Sequence, residues 1–230
     1  MYVYLSSIFL LGLIIGSFIS AITYRIPREL QFVKGRSFCD SCKKELTWYD
    51  NIPLFSFLYY KGKSRCCNQK ISIRYLLIEL SSALGAVLLF VLLPSTFLIS
   101  YFLFLICLAI FVIDLEHQII PDELSWFILL LGLINFSFVN IFAGFFFSLL
   151  LLTLYLITGG RGMGLGDVKL AIPLGLWLGL EKGVVWLTTS FIIGGIVASI
   201  LLLLKRAKLK TKIAFGPFLI FAFWVVLLTI

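Results

Sequence analysis

Two aspartates stand apart from the rest of this chain's chemistry. Asp114 closes an apolar run at Phe111–Val112–Ile113, and Asp167 opens another within Gly164–Leu165–Gly166–Asp167–Val168–Lys169. Two further apolar segments lie between them, so a chain that crosses a membrane and returns brings both acids to one face. A carboxylate at the edge of hydrocarbon is costly and is tolerated where it faces a bundle interior or a wet cavity. Two carboxylates sharing such a site cannot both ionise easily. One then takes a proton from water while the other, still protonated, hydrogen-bonds a carbonyl, the pairing that peptide hydrolysis uses. Other roles fit the same positions. Asp167 suits a helix N-cap, Asp114 can end a span at headgroup level, and membrane carboxylates also mark ion or proton pathways. Gly159, Gly160, Gly162, Gly164 and Gly166 let backbone approach an extended substrate closely, which favours the catalytic use.

A second cluster is made of thiols. Cys39 and Cys42 have the C-x-x-C spacing of a tetrahedral zinc site, and Cys66 and Cys67 follow in the same loop. Side chains of adjacent cysteines diverge, so Cys66 and Cys67 reach one metal together only under strain. The loop is too short to stabilise a core of its own, and units of that size need a metal or another staple. A structural zinc is the candidate. If the loop is cytoplasmic, disulfides are not expected there. Cys107, inside an apolar run, reads as a small packing residue.

Helices in a membrane must position these groups. The chain is 61% hydrophobic and 13% charged with a mean hydropathy of +1.11, against ~45–50% and ~25% in soluble domains. Its apolar residues form eight segments, at 4–24, 76–93, 97–113, 124–140, 141–158, 168–180, 184–204 and 213–230. The sixth is short for a span unless it begins within the glycine-rich stretch. Leu5–Ile22 has no basic residue before it and no small-residue cleavage site after it, so it reads as a retained span and not a signal peptide.

Charge fixes the orientation. With the amino terminus outside, the basic residues between Arg25 and Arg74, then Arg161 and Lys169, then Lys205, Arg206, Lys208, Lys210 and Lys212 all fall inside, and only Lys182 falls outside. That is the positive-inside pattern. The net charge of +8 is therefore a topology signal, and no nucleic-acid partner is expected. The fold class is all-α: a polytopic transmembrane bundle of about eight spans. It divides into a first span at 1–24, a cytoplasmic cysteine-containing loop at 25–75, and a transmembrane catalytic bundle at 76–230.

The ordered set of motifs resembles one family, the type IV prepilin peptidases. Gly16–Ser17–Phe18 and Tyr24–Arg25–Ile26–Pro27 are similar to the family's opening. Cys39–Asp40–Ser41–Cys42, Trp48–Tyr49–Asp50–Asn51–Ile52–Pro53, Gly62–Lys63 and Ile71–Ser72–Ile73–Arg74–Tyr75 resemble its cytoplasmic loop. Asp114–Leu115–Glu116 leading to Ile120–Pro121–Asp122 resembles the first aspartate motif, Gly164–Leu165–Gly166–Asp167 the second, and Phe215–Gly216–Pro217–Phe218–Leu219 the last span.

The resemblance implies a bacterial inner-membrane aspartic endopeptidase of the GxGD type, with its active site facing the cytoplasm. Such an enzyme cuts the basic leader from type IV prepilins and pseudopilins, and in the family it then N-methylates the new amino terminus with S-adenosylmethionine. Carried over, the catalytic pair is Asp114 and Asp167, and Asp122 is a motif residue that caps the next helix. Gly164 and Gly166 would lie along the substrate, and Glu116, Asp122 and Glu123 would attract its basic leader. Many members carry C-x-x-C twice in the loop. Here Ser64 stands at the first cysteine of the second pair, Cys67 at its second, and Cys66 is extra, so the resemblance implies Cys39, Cys42 and Cys67 as the firmer zinc ligands with Cys66 a strained fourth, and it puts zinc and methylation in question. Glu79 reads as a partner of Arg74 or Lys169, and His117 as an interfacial residue.

Two rivals share some of these features. A presenilin-type protease would have the aspartates without the cysteine loop and would cut within the span. A proton- or ion-coupled transporter using the paired carboxylates would need them near mid-bilayer.

Overall fold

The computed structural model describes residues 2–30, 37–39, 41–47, 50, 52, 54–135, 137–160, 162–205 and 213–229. Asp40, Trp48, Tyr49, Asn51, Pro53, Arg161, Arg206, Lys208, Lys210 and Lys212 lie outside the described residues, and with them parts of the loop motifs and of the basic clusters. The described chain is helical apart from short turns and two isolated β-bridges, Phe38 with Glu45 and Lys63 with Lys70. Its helices are α1 (Tyr2–Arg25), α2 (Phe55–Tyr59), α3 (Ile73–Leu92), α4 (Phe97–His117), α5 (Asp122–Gly132), α6 (Phe138–Thr158), α7 (Leu165–Leu203) and α8 (Gly216–Thr229).

Among the described residues, five helical stretches are long and apolar enough to cross a membrane: Val3–Arg28, Ile73–Leu92, Pro94–His117, Phe138–Thr158 and Leu165–Leu203. On α6 the side chains of Phe138, Phe142, Phe145 and Leu149 point outward, while Ala143, Phe147 and Leu151 are buried. The outward stripe recurs every three or four residues, so one helix face is apolar and uncovered. That surface suits lipid and would be a liability in water.

The chain divides into two compact units, Met1–Ala109 and Ile110–Ile230. In the first, α1 packs along α3. The close approach depends on Gly12 and Gly16, one helical turn apart. A Cβ at Gly12 would come 2.6 Å from Ala83 Cα, and one at Gly16 would come 2.8 Å from Glu79 Cα. These neighbours are backbone atoms and cannot yield, so the small-residue pair sets the crossing. Ser82 Oγ closes the contact, donating to Gly12 O at 2.8 Å and lying 2.9 Å from Tyr101 Oη.

In the second unit α7 is the central element and packs against α5, α6 and α8. Trp186 Nε1 donates to Leu219 O at 2.8 Å, Trp177 Nε1 to Ile128 O at 3.2 Å, and Ser148 Oγ to Val168 O at 2.9 Å. Each bond ties one helix to another where hydrocarbon offers no competing water. Helix α7 is continuous except at Gly179, whose φ of 71° and ψ of −173° no helix adopts. The break falls where the sixth and seventh expected segments meet, and the first of them begins at Leu165, inside the glycine-rich stretch. The fourth expected segment, 124–140, is divided instead. Its α-helix stops at Gly132, and Phe138 already belongs to α6.

Candidate active site

Both aspartates sit in terminal turns of helices within the second unit. Asp114 occupies the last turn of α4. The helix ends because Gln118 turns left-handed (φ 55°), its N–H still donating to Asp114 O at 2.9 Å, and Pro121 cannot continue the helix. Asp167 is the third residue of α7, and its Oδ2 accepts the Gly164 N–H at 3.1 Å. That is the backbone half of a capping box. It anchors the carboxylate at a helix N-terminus, where negative charge is favoured.

The two side chains are buried, with residue exposures of 4% for Asp114 and 5% for Asp167. The Asp114 carboxyl lies within electrostatic reach of Asp167. The Gly216 N–H, at the start of α8, faces the Asp114 carboxyl. Asp114 Oδ2 is buried without a hydrogen-bond partner among the described residues. A buried polar atom left unpaired is expensive, and at a hydrolytic site it is where water or a carbonyl would bind. Ile120 lines the same place: its side chain lies 3.0 Å from where a Cβ of Gly166 would stand and 3.1 Å from one of Gly216. Two glycine backbones and one isoleucine thus wall the acids.

The neighbouring charges are arranged differently from the expectation. Asp122 is the first residue of α5, with Pro121 in the cap position and no side-chain cap bond, so it does not cap that helix. Both of its oxygens accept from Lys169 Nζ, at 2.9 and 2.7 Å. Glu116 and Glu123 are exposed, and His117 Nε2 lies 3.9 Å from Glu116 Oε2. In the first unit Glu79 accepts the Leu54 N–H at 2.9 Å and a bond from Ser17, while Arg74 donates to Thr23 Oγ1 at 2.8 Å. The acid thus fixes the loop backbone.

The four loop cysteines converge in that unit. The sulfurs of Cys39, Cys42, Cys66 and Cys67 all lie within 4.8 Å of one another. Cys39 Sγ is 3.7 Å from Cys67 Sγ, and Cys42 Sγ is 3.0 Å from Cys66 Sγ. Zn–S bonds of about 2.3 Å in a tetrahedron place sulfurs about 3.8 Å apart, so the set fits a zinc ion, with Cys66 included despite its adjacency to Cys67. Burial acts to raise the Cys39 thiol, but hydrogen bonds from the Cys42 and Ser41 backbone and from Ser64 outweigh it and lower the group to about 6. Its partner Cys42 is pushed up to about 12, chiefly by its contact with Cys66. Cys107 is fully buried in the first unit.

Residues 10–93 match the bacterial peptidase A24 N-terminal domain, and residues 101–199 match the type IV leader peptidase family. The prepilin leader peptidase/N-methyltransferase of Aeromonas salmonicida is 34% identical, covering 99% of this chain and 91% of that protein. The enzyme of the same description from Pseudomonas aeruginosa is 33% identical over 95% of this chain and 88% of its own length. One from Klebsiella pneumoniae is 36% identical over 76% and 86%. The chain belongs to the type IV leader peptidase family. No solved structure matches it.

Within this family member the sequence singled out Asp114, Asp167, Gly164 and Gly166, and the fold brings all four to the facing ends of α4 and α7. Ile120 and the backbone of Gly216 were not foreseen as walls of the site. The only signal for Gly216 was its place in Phe215–Gly216–Pro217, which marked a span and not a catalytic neighbour.

Proposed function

We propose that this protein is a membrane-embedded aspartic endopeptidase that removes the basic leader of type IV prepilins or pseudopilins at the cytoplasmic face of the bacterial inner membrane. The observation that carries the reading is the pair of buried carboxylates at adjoining helix ends, one with an oxygen left unpaired. The ionised carboxylate removes a proton from water, and the resulting hydroxide attacks the scissile carbonyl carbon. The protonated carboxyl donates to the carbonyl oxygen. Collapse of the tetrahedral species breaks the C–N bond, and the amine leaves with a proton returned from the acid.

In this reading about eight spans, counting the two parts of α7 and the shorter α5 and α8, carry the chain from an outside amino terminus. The loop at 25–75 is then cytoplasmic, and 76–230 form the catalytic bundle. The apolar pilin helix lies among the spans while its basic leader meets Glu116, Asp122 and Glu123. Gly164 and Gly166 offer bare backbone to the extended segment between. Both acids lie in terminal turns and not mid-helix, the placement that separates a protease at the membrane edge from an ion-coupled transporter.

The relatives' description adds a methyl transfer. Its donor, S-adenosylmethionine, would supply the methyl group. A cavity in the first unit is lined in part by Tyr24, Phe38, Tyr60 and Arg25, and its ring faces suit the purine of such a donor. Zinc on the four cysteines would be structural, holding the two turns that form one wall.

The test is cleavage of a prepilin by the purified protein in detergent, beside Asp114→Asn and Asp167→Asn, with mass spectrometry of the product. Cleavage after the leader glycine by the parent alone is expected. Parental rates in either folded variant would make that aspartate structural and the mechanism wrong.

A further inference from the structure

The two cysteine turns share one backbone pattern. In the first, Cys39 N–H donates to Lys44 O, Lys43 N–H to Cys39 O, and Leu46 N–H to Ser37 O, at 2.9, 2.9 and 2.7 Å. In the second, Ser64 N–H donates to Gln69 O, Asn68 N–H to Ser64 O, and Ile71 N–H to Gly62 O, all at 2.8 Å. Lys43 (φ 58°) and Asn68 (φ 57°) take the same left-handed position. Each partner in the second turn stands 25 residues after its counterpart, the separation of Ser64 from Cys39. On that register Ser64 occupies the place of Cys39, Cys67 that of Cys42, and Cys66 that of Ser41.

The first position of the second turn has therefore lost its thiol, yet the backbone that presents a ligand there is intact. The missing sulfur is restored from two residues further on. Cys66 Sγ reaches within 3.0 Å of Cys42 Sγ, and the Ser64 hydroxyl sits between sulfurs, 3.3 Å from Cys39 Sγ and 3.0 Å from Cys66 Sγ. Ser64 is buried. A hydroxyl is a poor anionic ligand beside thiols, which ionise near 8.5 and more easily at a metal. Four thiolates on one Zn²⁺ carry a net charge of −2, which a buried O–H donor stabilises.

We propose that this chain binds zinc through Cys39, Cys42, Cys66 and Cys67, the fourth thiolate coming from the third position of the second turn. Ser64, at the vacated first position, donates its one O–H to a flanking thiolate and is not a ligand. On metal binding the Cys42–Cys66 separation opens by about 0.8 Å to the tetrahedral spacing.

The experiment uses the full-length protein in detergent, loaded with zinc or cobalt. X-ray absorption of the zinc-loaded parent should give four sulfurs at about 2.3 Å; three sulfurs with a lighter fourth atom would overturn the proposal, as would failure to retain zinc. In the cobalt form, Cys66→Ser should lower the thiolate charge-transfer absorption by about a quarter, one ligand in four. Ser64→Ala should keep the full band while weakening metal affinity about 10–100-fold, as loss of a supporting hydrogen bond does. The double change Ser64→Cys/Cys66→Ser moves the thiol back to the first position and should restore the parental band. An unchanged band in Cys66→Ser, or a lost ligand band in Ser64→Ala, would refute the assignment. The absorption result on the parent decides the matter even if a variant fails to fold.

Discussion

A side chain on Gly216 would collide with Asp114: its Cβ would stand 2.6 Å from Oδ2 and 3.1 Å from the Ile120 side chain. Oδ2 is the oxygen left unpaired, so the bare backbone at the start of α8 preserves the space that the proposed reaction would use. Gly216→Ala should lower the rate of prepilin cleavage by more than tenfold. Gly195→Ala, where a Cβ meets nothing within 4 Å, should leave it at the parental value. Comparable rates for the two would show that the space beside Oδ2 is not used.

Asp167 has two separable roles, and isosteric and truncating changes divide them. Its Oδ2 accepts the Gly164 N–H, a bond that an asparagine oxygen can also accept. Asp167→Asn should therefore abolish cleavage with little change in thermal unfolding. Asp167→Ala should also be inactive, and less stable by about 1–2 kcal/mol through the orphaned N–H. Thermal unfolding of both variants in one detergent measures the difference. Equal stability would remove the anchoring role.

Lys169 already occupies Asp122, so the acids near the site are not equivalent toward a basic leader. The pair is half exposed, 56% and 54%, and such pairs contribute below about 1 kcal/mol. Glu123→Gln should raise KM for a lysine-bearing leader more than Asp122→Asn does, and the triple change with Glu116→Gln should raise it further. The effect should shrink with added salt, while kcat holds. An unchanged KM in the triple variant would mean that the leader is read elsewhere.

Much of this arrangement is written locally in the chain. The apolar runs delimit the spans, the glycine-rich stretch marks where α7 begins, and Asp114 and Asp167 fall at run boundaries because a charge cannot lie deeper without cost. Other features depend on distant partners. The Lys169–Asp122 pair joins residues 47 apart, and the Leu54 N–H reaches Glu79 from a loop 25 residues away. Neither periodicity nor composition carries that information. The stop at Gly132 was also invisible, because the residues on both sides of it are apolar. Cys66, expected as a strained fourth ligand, does join the other three sulfurs; the strain was overstated, because divergence of adjacent side chains holds for extended backbone, whereas residues 65–67 lie in a turn.

Both aspartates, with the glycine stretch and Gly216 that border them, belong to the unit Ile110–Ile230, whereas all four clustered thiols belong to Met1–Ala109. In the proposed reading, hydrolysis and metal binding therefore belong to different compact units of the chain. If the two-aspartate reading holds, a change confined to the thiol cluster, such as Cys39→Ser, touches no residue that borders Asp114 or Asp167. The thiol cluster and the carboxylate pair can then be altered one at a time, each with its own readout, metal content for the first and peptide cleavage for the second.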